Sequence, residues 1–427
     1  MQDASPQRYR LAFGVVTAVF FMWGFITVLN DVLVPHLKSV FALDYKQTML
    51  IQFCFFGAYF LMSLPAGKVV SVFGCKNSII IGLGVAGLGA LLFYPAAALP
   101  SYGVFLTALF ILATGITLLQ VAANPYVSLL GPPQGASSRL NLSQAFNSLG
   151  TALAPKFGGL LILSVGVLGA AELAKLTPAE QLAYRLQQAQ SVELPYIGLA
   201  VTLFLLAFVV YLFHLPAVSE IEVPADTAHP YRDVLRHRHL FYGLVAIFVY
   251  VGAEVSIGSF MINYISSPGI GDMTENRAAN FVSLYWTGAM IGRFVGSALL
   301  RRIDPRRLLA LFAGIAALLV LTTMLTSGMA AVASVVAIGL FNSIMFPNIF
   351  TLGIEKLGPL TGRASSLLVM AIVGGAIVPL AQGALADAFG VHHAFILPLL
   401  CYLFIVFYAL NGSLTDRLAP FAVRTHG

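Results

Sequence analysis

The sequence predicts an all-α membrane protein of twelve transmembrane helices in two pseudo-symmetric six-helix bundles. Three observations predict it. Of the 427 residues, 59% are hydrophobic and only 9% charged, with a mean hydropathy of +0.89. A soluble domain carries about a quarter of its residues as charges, so this chain cannot cover a water-facing surface and must take lipid as its solvent. The apolar residues come in runs of the length a bilayer demands, about 20 residues per helix. Glycine, proline and basic residues also recur at a fixed spacing between the two halves.

Taken in order, the runs place the spans at 10–36, 47–72, 76–98, 102–130, 139–166, 192–214, 239–266, 277–301, 305–327, 330–357, 362–386 and 391–413. The start, "MQDASPQRYR", is polar and no small-residue cleavage site follows it. Span 1 is therefore expected to be a retained helix and not a signal peptide. After span 5 the polar stretch 167–191 looks amphipathic. At the midpoint 215–238, "LPAVSEIEVPADTAHPYRDVLRHR", reads as a linker between an N-terminal bundle (1–214) and a C-terminal bundle (239–427).

Basic residues set the orientation. With the N-terminus in the cytoplasm, the inner segments hold sixteen, among them Arg8, Arg10, Lys68, Lys76, Arg139, Arg236, Arg301, Arg302, Arg306, Arg307 and Arg363, while the outer loops hold five, Lys38, Lys46, Lys175, Arg185 and Arg277. Both termini are expected inside. Because the lysines and arginines are scattered through short loops, the net charge of +6 suits a lipid bilayer and not a nucleic acid. The three cysteines, Cys54, Cys75 and Cys401, have no metal spacing and form no disulfide framework.

The halves repeat. Arg139, Gly150, Pro155 and Gly159 of span 5 recur as Arg363, Gly374, Pro379 and Gly383 of span 11, each 224 residues on. Gly57 and Lys76 match Gly288 and Arg307 at 231, and Pro125 of span 4 has a counterpart in Pro347 of span 10. A repeat about an axis along the membrane normal is the architecture of two-halved secondary transporters, with the substrate site between the halves. No phosphate-binding loop of the GxxxxGK[ST] type occurs, so ATP does not drive it. The histidines lie at span edges or in loops, which argues against an enzyme.

"LNDVLVPHL" in span 1, "VAANPYVSLLGP" after span 4, "RLNLSQAFNSLG" in span 5 and "FPNIFTLGI" in span 10 resemble the major facilitator superfamily, and within it the L-fucose/proton symporter family of bacterial sugar transporters. "PAGKVVSVFG" and "GRFVGSALLRR" sit where that superfamily has short basic loops. The resemblance implies a monomeric inner-membrane symporter that carries a hexose or related sugar with a proton, without a cofactor. Two positions depart from the fucose branch, which has a functional glutamate in span 4 where this chain has Gln120, and an uncharged polar residue in span 7 where it has Glu254. The chain is more similar to the glucose, galactose or N-acetylglucosamine branch.

Four charged residues lie well inside a span: Asp31, Lys156, Glu254 and Arg293. Intramembrane charges cost at least about 2.5–3.5 kcal/mol and tend to line substrate or proton paths. Asp31 serves either as a helix-end ion pair or as a proton carrier, its affinity rising on burial and falling on hydration; the resemblance favours the carrier. Glu254, with no lysine or arginine within a turn or two of its helix, is expected to accept sugar hydroxyls and titrate during transport, or else to join two helices. Spans 1 and 5 are neighbours in this superfamily, so Lys156 would face Asp31; alternatively it snorkels outwards. Arg293, near the inner end of span 8, is expected to pair or to snorkel at the cytoplasmic side, a structural part.

Sugars need neutral partners that both donate and accept, which amides supply. The spans that line the cavity in this superfamily offer Gln52, Gln120, Asn124, Gln144, Asn147, Asn263, Asn342 and Asn348, with Asn30 beside Asp31. About half of these are expected to join helices instead. Asn124 is the foremost of those, since its amide would mend the backbone that Pro125 disturbs. Tyr285, Trp286 and Trp23 are candidate stacking surfaces. Gly84, Gly87 and Gly89 are expected to allow close helix packing. Two other transporters share these features: a sodium-coupled sugar symporter using the same carboxylates, and a drug/proton antiporter, which the amide-rich cavity disfavours.

Overall fold

A computed structural model describes residues 6–41, 45–98, 101–161, 175–190, 192–213, 215–216 and 231–415, and among these only helices and their connections occur. Span 1 is the helix Pro6–Phe41. Spans 2 and 3 form one run, Tyr45–Leu91, broken at Gly74, whose φ of 73° and ψ of 172° glycine alone takes without strain. Span 4 is Tyr102–Leu129, span 5 Ala136–Leu161 and span 6 Glu193–Leu212. In the second half, span 7 is Arg238–Ser266, span 8 Glu275–Leu299 and span 9 Pro305–Leu325. Span 10 is divided into Gly328–Asn342 and Met345–Gly353, and span 11 into Thr361–Met370 and Gly374–Phe389. Span 12 is built mainly on Ile396–Phe407.

Nine helices among the described residues are long and apolar enough to cross a membrane. One of them, Leu50–Ala97, is the run that Gly74 divides into two expected spans. The helices of spans 5 and 8, at 26 and 25 residues, have the length but are more polar. They carry Gln144, Asn147 and Arg293. The architecture is thus consistent with twelve spans, and the more polar spans 5 and 8 meet each other at the centre.

The core is apolar, but the outside is apolar as well, as lipid allows. Leu194, Leu205, Phe208 and Leu318 are exposed on the outside, while Asn124, Asn141, Asn342 and Asn348 are fully buried. Of the connections, 162–174 and 217–230 lie outside the described residues; the first polar stretch contains the helix Pro178–Gln190 and the linker contains Tyr231–Leu235. Pro178–Gln190 opens on a capping box. The Thr177 backbone N–H and hydroxyl both donate to Glu180 Oε2 at 2.8 Å, holding that carboxyl below the ordinary glutamate range. This support is present above the ordinary glutamate pKa and is lost as pH falls through the lowered one.

Close helix packing follows the repeat. A Cβ at Gly150 would lie 2.3 Å from Phe21 O on span 1, and one at Gly374 would lie 2.0 Å from Phe248 O on span 7. Spans 1 and 5 are therefore neighbours, as expected, and spans 7 and 11 pack the same way. Gly89 meets the Leu112 backbone and Gly87 the Phe204 ring, but nothing stands within 4 Å of a Cβ at Gly84. Gly84 therefore makes no close contact, because its face of the helix points away from its neighbours.

The halves touch through two seams on the side that carries the linker. In one, Ser138 Oγ donates to Ser297 O at 2.7 Å and Ser297 Oγ returns to Ser138 O at 2.9 Å, while Ser137 and Thr351 hydroxyls lie 2.7 Å apart. In the other, a Cβ on Gly67 would meet Ser366 at 2.8 Å, and Tyr231 of the linker lies against Ser366 and under Arg363. Among the described residues, the hydrogen bonds between the halves all lie on this side or at mid-depth. The two bundles are held together there.

Candidate functional site

Spans 4 and 10 each contain a proline, and a proline cannot donate to the carbonyl four residues before it. Pro125 leaves Val121 O free, and Pro347 leaves Ser343 O free. Both carbonyls are taken by side chains from elsewhere. Ser365 Oγ of span 11 donates to Val121 O at 2.9 Å, across the halves. Arg293 Nε of span 8 donates to Ser343 O at 3.2 Å. The expectation that Asn124 mends the break at Pro125 is thereby corrected: Ser365 does so, and its 244 residues of separation hid it from the sequence. The Asn124 Oδ1 instead accepts from Gln144 Nε2 at 3.4 Å.

Arg293 is the hub of the site. Its Nη1 donates to Ser148 Oγ and lies 3.4 Å from Gln144 O, both on span 5 of the other half. Its Nη2 is 3.8 Å from Glu254 Oε1 of span 7. The two side chains are only 11% and 13% exposed, so water screens them little. Glu254 also accepts from the Tyr250 hydroxyl at 2.8 Å, which has Asn342 O 3.1 Å away. A cation thus serves Glu254, although the sequence around it offers none. No basic residue lies near on its own helix, but span 8 brings one from 39 positions further on. Arg293 does pair, as expected, but at the centre between the halves.

The amides divide into two sets. Asn342 is fully committed: its Nδ2 donates to the Tyr285 hydroxyl at 2.6 Å and its Oδ1 accepts from Tyr402 at 2.6 Å. Tyr285 is completely buried in that contact, with its ring edge-on to Trp286. Asn348 Oδ1 accepts from Asn141 Nδ2 at 3.0 Å across the halves, and Asn147 Nδ2 donates to Phe20 O at 2.9 Å. Gln120 Nε2 donates to Tyr59 at 2.9 Å. By contrast Gln52 is half-buried, Asn263 is exposed, and Trp286 is 43% exposed beside Gly258, whose missing side chain leaves its ring room. Asn30 and Asp31 belong to the span 1 helix, but their side chains lie outside the described residues; Lys156 is exposed. Sequence reasoning missed Ser148, Asn141, Tyr250 and Tyr402. Asn141 was visible as a third amide on the face of Gln144; the others carry no sequence signal.

An ion pair at the seam of two helical bundles, ringed by amides and phenols, can accept and donate to a polyol and can change charge as the bundles separate. Comparison with known proteins bears on which solute that is. The profile of the Major Facilitator Superfamily matches residues 11–372. The chain is 52% identical over 412 residues to the glucose/galactose transporter of Brucella abortus, covering 96% of each. It is 37% identical to the L-fucose-proton symporter of Escherichia coli, covering 97% of this chain and 96% of that one. Its fold matches the crystal structure of the transporter FucP in the outward conformation with a TM-score of 0.88 at 37% identity, over 94% of this chain and 98% of that one.

Proposed function

The chain belongs to the major facilitator superfamily, and from that premise we propose that it is a proton-coupled symporter that imports glucose or galactose by alternating access. It is a transporter and not an enzyme. The observation that carries the reading is the Glu254–Arg293 pair at the seam, a site able to bind hydroxyls and take up a proton, in a chain similar to sugar transporters throughout its length. Asp31 takes a proton from outside, with Lys156 setting its affinity, and Glu254 shares the titration. The sugar contacts are Asn30, Gln52, Gln120, Asn124, Gln144, Asn147, Glu254, Asn263 and Asn348, with Trp286 against the apolar ring face. Asn342 and Tyr285 hold that wall in place. The protein is a monomer of a bacterial inner membrane, with both termini in the cytoplasm, and it uses neither cofactor nor nucleic acid.

The test follows external pH in a weakly buffered suspension of de-energised cells expressing the chain. Glucose or galactose is expected to alkalinise the medium, and fucose to leave it unchanged. Uptake of labelled glucose without a pH change, but dependent on sodium, would replace the proton by sodium in this reading. A second expectation concerns Glu254. Replacement by glutamine keeps the Tyr250 bond and removes the charge, so pH-driven accumulation should fall at least about tenfold, the equivalent of about 1.4 kcal/mol of coupling. Accumulation that follows pH as before would remove Glu254 from the proton path.

A further inference from the structure

We infer that Arg293 is the link through which the charge on Glu254 controls closure between the two halves, an inference that rests on the proton-coupled reading above. Arg293 touches four helices at once: its own, span 7 through Glu254, span 10 through Ser343 O and span 5 through Ser148 and Gln144 O. Only the last contact crosses between the halves. On span 8 Arg293 lies one turn from Ser297, whose bonds to Ser138 are reciprocal, so its contact with span 5 continues the same seam. The groups that face Glu254 are few. Span 8 brings Arg293 and Tyr285, span 12 brings Tyr402, its own helix brings Tyr250, and span 10 brings the neutral Asn342. Spans 5 and 11 bring no charged side chain to it among the described residues.

When Glu254 is ionised, the guanidinium has its counter-charge and its fork bridges the seam. Arginine does not give up its own proton. A proton on Glu254 therefore leaves a cation out of water without its carboxylate, which is strongly unfavourable. The arrangement that relieves this is one in which spans 5 and 8 part and water from the linker side reaches Arg293. The sign suits import: the proton-loaded protein opens on the linker side and the proton-free protein closes there. Lysine would not substitute, because a point charge cannot hold a carboxylate, a hydroxyl and two carbonyls in one plane. Arg293 is thus a positioning residue that acts through Ser148.

The test puts a single cysteine at Ser138, in the seam, in a chain whose Cys54, Cys75 and Cys401 are replaced by serine. The protein is reconstituted in liposomes and its labelling by a soluble maleimide is followed from alkaline to acid pH. The parent is expected to label about fivefold or more faster at acid pH, the lower bound of ordinary coupling between sites. E254Q and R293Q should label fast at every pH, and R293K should show a weakened pH dependence. S148A, which keeps the ion pair, should label faster than the parent at alkaline pH. R293Q or E254Q that followed pH as the parent does would overturn the inference, and if R293Q does not fold, R293K with S148A decides the matter in the same way. Sugar-driven alkalinisation of the same liposomes keeps the two readings apart. Parent labelling that depends on pH and on Arg293, without proton uptake, would overturn symport and leave the link standing. Proton uptake with pH-independent labelling would overturn the link alone.

Discussion

Asp31→Asn is expected to abolish uphill accumulation of sugar while leaving exchange of labelled for unlabelled sugar across the membrane. Asparagine keeps the size and the hydrogen-bonding capacity of the side chain, so the cavity should still accept sugar and the halves should still alternate. What it removes is the proton. One charge moved through 100 mV is worth about 2.3 kcal/mol, and about 1.4 kcal/mol corresponds to a factor of ten. A single proton can thus sustain a gradient of roughly fortyfold to fiftyfold, which should collapse to about one in the variant. Span 4 carries Gln120 and no carboxylate anywhere between Tyr102 and Leu129, so it offers no ionisable replacement. Glu254 already answers to Arg293. The measurement compares accumulation in energised vesicles with counterflow in de-energised ones. Full accumulation by the variant would remove Asp31 from the coupling, whereas loss of both activities would make it a binding or structural group.

Much of the architecture was legible because lipid imposes it: apolar runs of fixed length, polar linkers and a basic bias between faces leave a trace in every segment. The repeat was legible through glycine and proline, whose backbone effects do not depend on distant partners. The site was legible only as residue types. Glu254 announced itself as a charge in a span, but a search along its own helix could not find Arg293, since the approach of spans 7 and 8 is a tertiary fact. The same limit explains Asn342. From sequence it is one more amide facing a cavity, and only the arrival of Tyr285 and Tyr402 from two other spans commits both ends of it. Pro125 and Pro347 were legible as breaks, and the freed carbonyls followed from chemistry. That Ser365 and Arg293 would occupy them did not.

Gly374→Val is expected to cost the protein its fold. The added Cβ would stand 2.0 Å from Phe248 O, a distance at which something must move. The atom it meets is a helix carbonyl, held by its own helical bond, so relief requires shifting the whole of span 7 or span 11. Such a shift also parts Gly252 from Val378, whose side chain already fills the space of the missing Cβ, and strains the frame that carries Glu254. Overpacking costs about 1–3 kcal/mol and occasionally more, against a total stability of about 5–15 kcal/mol; a rigid backbone obstacle belongs at the high end. In detergent the variant should lose its monodisperse elution and its thermal transition. Gly150→Val should do the same in the other half, because a Cβ there meets Phe21 O at 2.3 Å. Gly84→Val and Gly57→Val are the controls: nothing lies within 4 Å of a Cβ at either position, so both should elute and melt as the parent does. A Gly374→Val protein as stable as these controls would mean that spans 7 and 11 do not pack as closely as described. Equal losses at Gly374 and Gly150 would instead establish that the 224-residue repeat in the sequence is a repeat of one helix contact.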